Sequence, residues 1–132
     1  MSGAVPDANV VQKYLEDDLG IPRSQIQNLR DAEATRSAII QAFLDFQNDT
    51  RIQHGDPIFI FYAGHGGETD APVMWNAGGS KIQMIIPHDF GAIVNDNEVY
   101  GIPDRTIGSL LDRIAKVKGD NIVSNALPLI LF

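Results

Sequence analysis

The sequence predicts an α/β domain whose sheet is mostly parallel, with helices on both faces. Three observations predict it. Ile58-Phe59-Ile60-Phe61-Tyr62 is an unbroken β-branched and aromatic run, the composition of a strand covered on both sides. Two stretches, Ala38 to Phe46 and Ile107 to Val117, place apolar residues three to four positions apart, the spacing of one helix face. Strand-like and helix-like segments alternate along the chain, as they do where parallel strands are joined by helical crossovers.

Taken in order, Asp7 is the expected N-cap of a first helix with Val10, Val11, Tyr14 and Leu15 on one side, closed by Gly20 and Pro22. Ile26 to Leu29 reads as an edge strand. Thr35 caps a second helix carrying Ala38, Ile39, Ala42, Phe43 and Phe46 on one side. Gly55-Asp56-Pro57 breaks the chain before the apolar run, which is the expected central strand, and Gly64, Gly66 and Gly67 follow it where the backbone must turn sharply or let something approach. Val73 to Trp75 and Lys81 to Ile86 flank Asn76-Ala77-Gly78-Gly79-Ser80 and read as a hairpin excursion or a strand reached through a glycine turn, stopped by Pro87. A loop from His88 to Gly101 leads to a third helix, capped by Asp104 or Thr106, with Ile107, Leu110, Leu111, Ile114 and Val117 on its buried stripe and Gly119 at its end. The last segment, Asn121 to Phe132, is apolar, and Pro128 within it favours an edge strand.

A chain of 132 residues with 44% hydrophobic content is sized for one domain with a packed core. Seventeen acidic against ten basic residues give a net charge of -7, which disfavours nucleic acid and anionic membrane surfaces as partners. There is no cysteine, so disulfides, thiolate metal sites and a thiol nucleophile are excluded. Met1 to Pro6 lacks a basic patch followed by an apolar stretch, and no segment reaches the roughly 18 apolar residues of a membrane span. A cytoplasmic protein is expected, with unconventional secretion left open.

Ile58 to Gly66, reading IFIFYAGHG, resembles the histidine motif of metacaspases and caspase-like cysteine peptidases. Around it stand Gly3-Ala4-Val5, Asp7-Ala8, Ala34-Thr35-Arg36, Gly55-Asp56, Ile86-Pro87-His88-Asp89 and Lys118-Gly119-Asp120-Asn121-Ile122, in the order and approximate spacing of a fungal-type caspase-like domain. The resemblance runs from about Gly3 to Ile122. It implies a three-layer, Rossmann-like caspase fold truncated at both ends: the family's apolar first strand is missing ahead of Gly3. After Ile122 the chain departs from the family's Asp-Cys-Cys-His-Ser-Gly continuation. The expected organisation is a partial caspase-like domain over 1–122 and a divergent apolar tail over 123–132, the product of truncation or alternative splicing.

In such peptidases a thiolate attacks the scissile carbonyl while a histidine moves the proton, a task suited to an imidazole whose ordinary pKa lies near about 6.5. The resemblance places His65 as a vestigial general base and Gly66, with Gly64, as a backbone contact able to steady an oxyanion. It places Asp7 near a substrate pocket suited to a basic side chain, although a helix cap is the stronger reading of Asp7. A histidine merely hydrogen-bonded in a loop is the plainer reading of His65. Ser124, near the expected place of the nucleophile, lacks the glycine-bearing turn that would present a hydroxyl. His65, Glu68, Asp70, His88 and Asp89 have metal-ligating chemistry but match no standard spacing, and no metal is expected. Asn95-Asp96-Asn97-Glu98 is acidic enough for calcium, on which some metacaspases depend, yet it lacks the glycine and ligand spacing of a calcium loop and reads as a solvated turn. Met74 and Trp75 are either a peptide-contacting patch or a satellite of the core.

The leading expectation is a catalytically silent caspase-like fragment that acts through protein-protein contact or homo-oligomer formation, using an exposed sheet edge and Leu127, Leu129, Ile130, Leu131 and Phe132. Two alternatives stand beside it: one part of an active endopeptidase whose nucleophile comes from a longer form or a partner chain, and a small secreted effector with an immunomodulatory role.

Overall fold

Apolar side chains from two helices and four strands converge on one core, which the computed structural model describes within residues 3–75 and 78–125. The helices are α1 (Ala4–Lys13), α2 (Arg36–Asn48) and α3 (Asp104–Lys118). The strands are β1 (Ile58–Phe61), β2 (Gly66–Asp70), β3 (Lys81–Ile85), β4 (Ile93–Val94), β5 (Asn97–Glu98), β6 (Ile102–Pro103) and β7 (Ile122–Asn125). The fold is mixed α/β, as the alternation of segments predicts. Its parallel component is the pairing of β1 with β7, Ile58 opposite Ile122 through Phe61 opposite Asn125. The β2-β3-β6 ladder and the β4-β5 hairpin are antiparallel.

α2 forms where sequence spacing places it. Thr35 is extended (ψ 159°) and its hydroxyl accepts from the Ala38 N–H, so the first turn is capped and Ile39 and Phe43 point inward. α3 packs beside it with Ile107, Leu110 and Ile114 buried between the helix and the strands, and Ile58, Ile85 and Ile102 complete the core. Four isoleucines, Ile85, Ile102, Ile107 and Ile114, are less than 2% exposed, and each such burial contributes on the order of 2 kcal/mol. Gly119 ends α3 at φ +91°; a side chain there would also press on the Gly55 amide 3.2 Å away, so both conformation and space require glycine.

Several expectations are corrected. Asp7 is not the N-cap: α1 begins at Ala4 behind Gly3, no side chain caps it, and Asp7 lies in the first turn. Val10 and Tyr14 are exposed, and the helix relaxes into a π turn over Tyr14–Asp18. Ile26 to Leu29 forms no strand, because no neighbouring strand supplies a ladder to it. The hairpin pairs Gly66–Asp70 with Lys81–Ile85, while Val73–Trp75 is a single 3-10 turn in the connection between them. Asn76 and Ala77 of the expected glycine-rich turn lie outside the described residues.

Neither Asp104 nor Thr106 is the cap of α3; Pro103 is the capping residue and Asp104 the first helical one. Val117 is exposed and Lys118 takes its place in the buried stripe. The expected loop from His88 to Gly101 contains the β4-β5 hairpin, turned at Asn95 (φ +50°) and Asp96 (φ +61°), residues that tolerate the left-handed region. β1 is not the doubly covered central strand expected: among the described residues its one ladder partner is β7, and Ile58 and Ile60 belong to the core, whereas Phe59 and Val123 remain exposed. The ladder runs through Ile122 to Asn125, across the expected boundary at 122, and the apolar tail from Ala126 onward lies outside the described residues.

Candidate functional site

β1 delivers the chain to the site. Its last residues, Ile60 and Phe61, pair with Ser124 and Asn125 of β7, and the Tyr62 N–H still donates to the Asn125 carbonyl at 3.4 Å. The backbone then leaves the sheet through Ala63 and Gly64 and presents His65, exposed, immediately before β2 begins at Gly66. In a parallel pair both strands end on the same side, so the turn that carries His65 and the last residue of β7, Asn125, lie at one end of the sheet.

The peptide of His65 is anchored twice. The Ile86 N–H donates to its carbonyl oxygen at 2.9 Å, and the Tyr62 phenol donates to the same oxygen at 2.9 Å while lying 3.2 Å from the Ile86 carbonyl. The ring of Tyr62 therefore folds back beneath Gly64, where any added Cβ would collide with the phenol oxygen and its ring carbon. Gly64 does not have a positive φ, so space alone demands glycine at this position. Burial pushes the Tyr62 phenol above the usual tyrosine range.

The other sequence-identified residues are distributed around this point without converging on it. Gly66 opens β2 opposite Ile85, and Gly67 packs so closely that a side chain would stand 3.0 Å from the Ile86 methyl. Asp7 is exposed on α1. Glu68 lies on β2 opposite Gln83. Asp70 is held by Lys81 at 2.8 Å, which draws its carboxyl below the ordinary range and raises the lysine. Asp89 accepts from the Arg36 N–H at 2.8 Å and the His88 N–H donates to the Ala34 carbonyl, so both tie the 88–89 loop to the start of α2. Among the described residues no three His, Asp or Glu side chains gather where they could hold a metal ion. Asn95 to Glu98 serve the β4-β5 turn, and Trp75 carries the Arg105 guanidinium 5.1 Å above its ring, docking its 3-10 turn to α3. Ser124 sits inside the β7 ladder opposite Ile60 and not at a strand end.

Sequence reasoning missed Tyr62 as an anchor, Asp89 as a helix-start acceptor and Lys118 as a buried amine. The signal for the first was present: a tyrosine two residues ahead of a glycine and three ahead of the histidine. The signal for Lys118 was its position eleven residues, about three turns, after Ile107.

The imidazole stands on a glycine turn at the carboxyl end of a parallel strand, beside the end of the neighbouring strand, which is the end of open α/β sheets at which ligands generally bind. The sequence profile of the caspase domain matches residues 1–111, and the chain belongs to that family. No curated protein matches the chain. Among the described residues no helix is long and apolar enough to cross a membrane.

Proposed function

We propose that this polypeptide is a catalytically silent caspase-like domain, of the metacaspase and fungal type, that works by binding protein. One observation carries the reading: the ladder brings the end of β7 to the end of the sheet where His65 stands, the place where a nucleophile would face the histidine, and the sequence contains no cysteine to stand there. Loss of a nucleophile from a catalytic pair removes about 10⁶ of rate in a comparable serine enzyme. His65 is then a vestigial general base and Gly66 a backbone contact with no tetrahedral intermediate to stabilise.

The binding surface in this reading is the free edge of β1 with its exposed face. Ile58 donates to the Asn121 carbonyl just ahead of β7 at 3.0 Å and Tyr62 to the Asn125 carbonyl at 3.4 Å, so by the alternation of a parallel ladder the main-chain groups of Phe59 and Phe61 point to the opposite edge, where no strand pairs among the described residues. Phe59 is 43% exposed on β1, and its ladder partner Val123 on β7 is 61% exposed. A second copy of the chain, or another protein with an extended apolar segment, is the partner this edge suits, with Leu127, Leu129, Ile130, Leu131 and Phe132 adding apolar surface. Light scattering at micromolar concentration tests it. A species heavier than the monomer that reverts on Phe59→Lys and on deletion of residues 127–132 supports the reading, and a clean monomer indifferent to both counts against self-association.

The same parallel pairing favours a second reading, in which a longer form or a partner chain supplies the thiol beside His65. A fluorogenic peptide with Arg or Lys before the cleaved bond separates the two, since turnover only on mixing with a cysteine-bearing partner requires the second.

A further inference from the structure

The anchoring of His65 has a built character that extends beyond its own turn. We propose that Tyr62 is the positioning residue of His65: its phenol hydrogen bond fixes the peptide that carries the imidazole to the end of β3, and Gly64 provides the space in which the ring can do so. The inference rests on reading His65 as the family's proton carrier.

A histidine on a loop between two strands has a main chain free to rock, and an imidazole useful in proton transfer must be held close to its productive geometry. Here the His65 carbonyl receives two donors, the Ile86 N–H and the Tyr62 O–H, each at 2.9 Å. The phenol also lies 3.2 Å from the Ile86 carbonyl, so one hydroxyl spans the two sides of the turn. Tyr62 is only partly buried, and its ring packs against the core at one end and reaches the turn at the other. The rigid two-torsion side chain holds that hydroxyl at little entropic cost. Gly64 completes the device, because a methyl group there would collide with the phenol oxygen. Tyrosine, glycine and histidine at 62, 64 and 65 thus form one unit: the ring passes under the second residue to hold the third.

Histidine-selective NMR of the whole chain tests this, with His54 and His88 as internal controls. In Tyr62→Phe the His65 ring resonances should shift or broaden while those of His54 and His88 stay in place. Exchange of the Ile86 amide, the remaining donor to His65, should quicken by about fivefold, the ratio one net hydrogen bond is worth. Gly64→Ala, which keeps the phenol but fills its place, should give the same His65-specific change. Uniform 3-fluorotyrosine labelling leaves every side chain nearly isosteric and makes the phenol a stronger donor; the His65 carbonyl carbon should then move downfield. An unmoved His65 carbonyl in the fluorinated protein, or His65 ring signals in Tyr62→Phe that move no more than those of His54 and His88, would overturn the proposal. Peptide hydrolysis by the unmodified chain would instead refute only the silent-domain reading, so the two failures are distinguishable.

Discussion

The ammonium of Lys118 donates to the carbonyl of Asp49 at 2.7 Å and to that of Ile52 at 2.9 Å, so the last turn of α3 closes the loop that leads from α2 into β1. Lys118 is 8% exposed, and its own carbonyl accepts from the Gly55 N–H at 2.7 Å. This bridge sets where β1 starts, three residues after Gly55, and thereby where its far end presents His65.

Lys118→Met keeps the buried stem and removes the donors, leaving two loop carbonyls without that partner. Stability should fall by about 3 kcal/mol, the range expected when charge-assisted bonds are lost from a buried site. The urea midpoint measures it; a change no larger than that of an exposed lysine such as Lys116 would show the bridge to be incidental.

Asp89→Ala strips the acceptor from the Arg36 N–H at the first turn of α2, where Thr35 already serves the Ala38 N–H. Each acceptor satisfies a different orphan amide, so each removal should cost about 1 kcal/mol, and because both act on one helical turn the double variant reports the coupling between them. Thermal unfolding of the two single variants and the double variant checks this. A wild-type melting temperature in Asp89→Ala would assign the contact no weight.

The hydrogen bond from Arg51 holds the Asp49 carboxyl down at about 2, against an ordinary value of 3.8. A depressed carboxylate stabilises the fold above its unfolded value, and that contribution disappears as pH falls through the folded one. Stability should therefore decline between about pH 4 and pH 2 in a manner that Arg51→Gln flattens. Acid titration of the two proteins by circular dichroism makes the comparison, and parallel curves would remove Asp49 from the account.

How much of this was readable in advance depended on whether the cause was local. Thr35 with its apolar spacing, the β-branched run at 58–62 and Gly119 each encode their element within a few residues, and each element forms where expected. Gly66-Gly67-Glu68-Thr69-Asp70 has almost no intrinsic strand preference; it becomes β2 because Lys81–Ile85 lies against it, a partner set by tertiary packing. Ile26 to Leu29 shows the converse, apolar residues left without a ladder. Lys118, and not Val117, fills the α3 stripe, a placement the sequence does not reveal because a lysine buried by its stem and paired at its tip is indistinguishable in sequence from a solvated one. For the site, the histidine and its glycines were legible as a resemblance, whereas the Tyr62 anchor depends on where Ile86 ends up and appears only in three dimensions.

The central claim is that His65 stands at the end of its strand with no thiol to serve. Incubating the purified chain with a fluorogenic peptide bearing Arg or Lys before the cleaved bond, beside its His65→Ala variant, tests it most directly. The account predicts two traces at the level of the buffer alone. Hydrolysis by the unmodified chain that His65→Ala abolishes would contradict it.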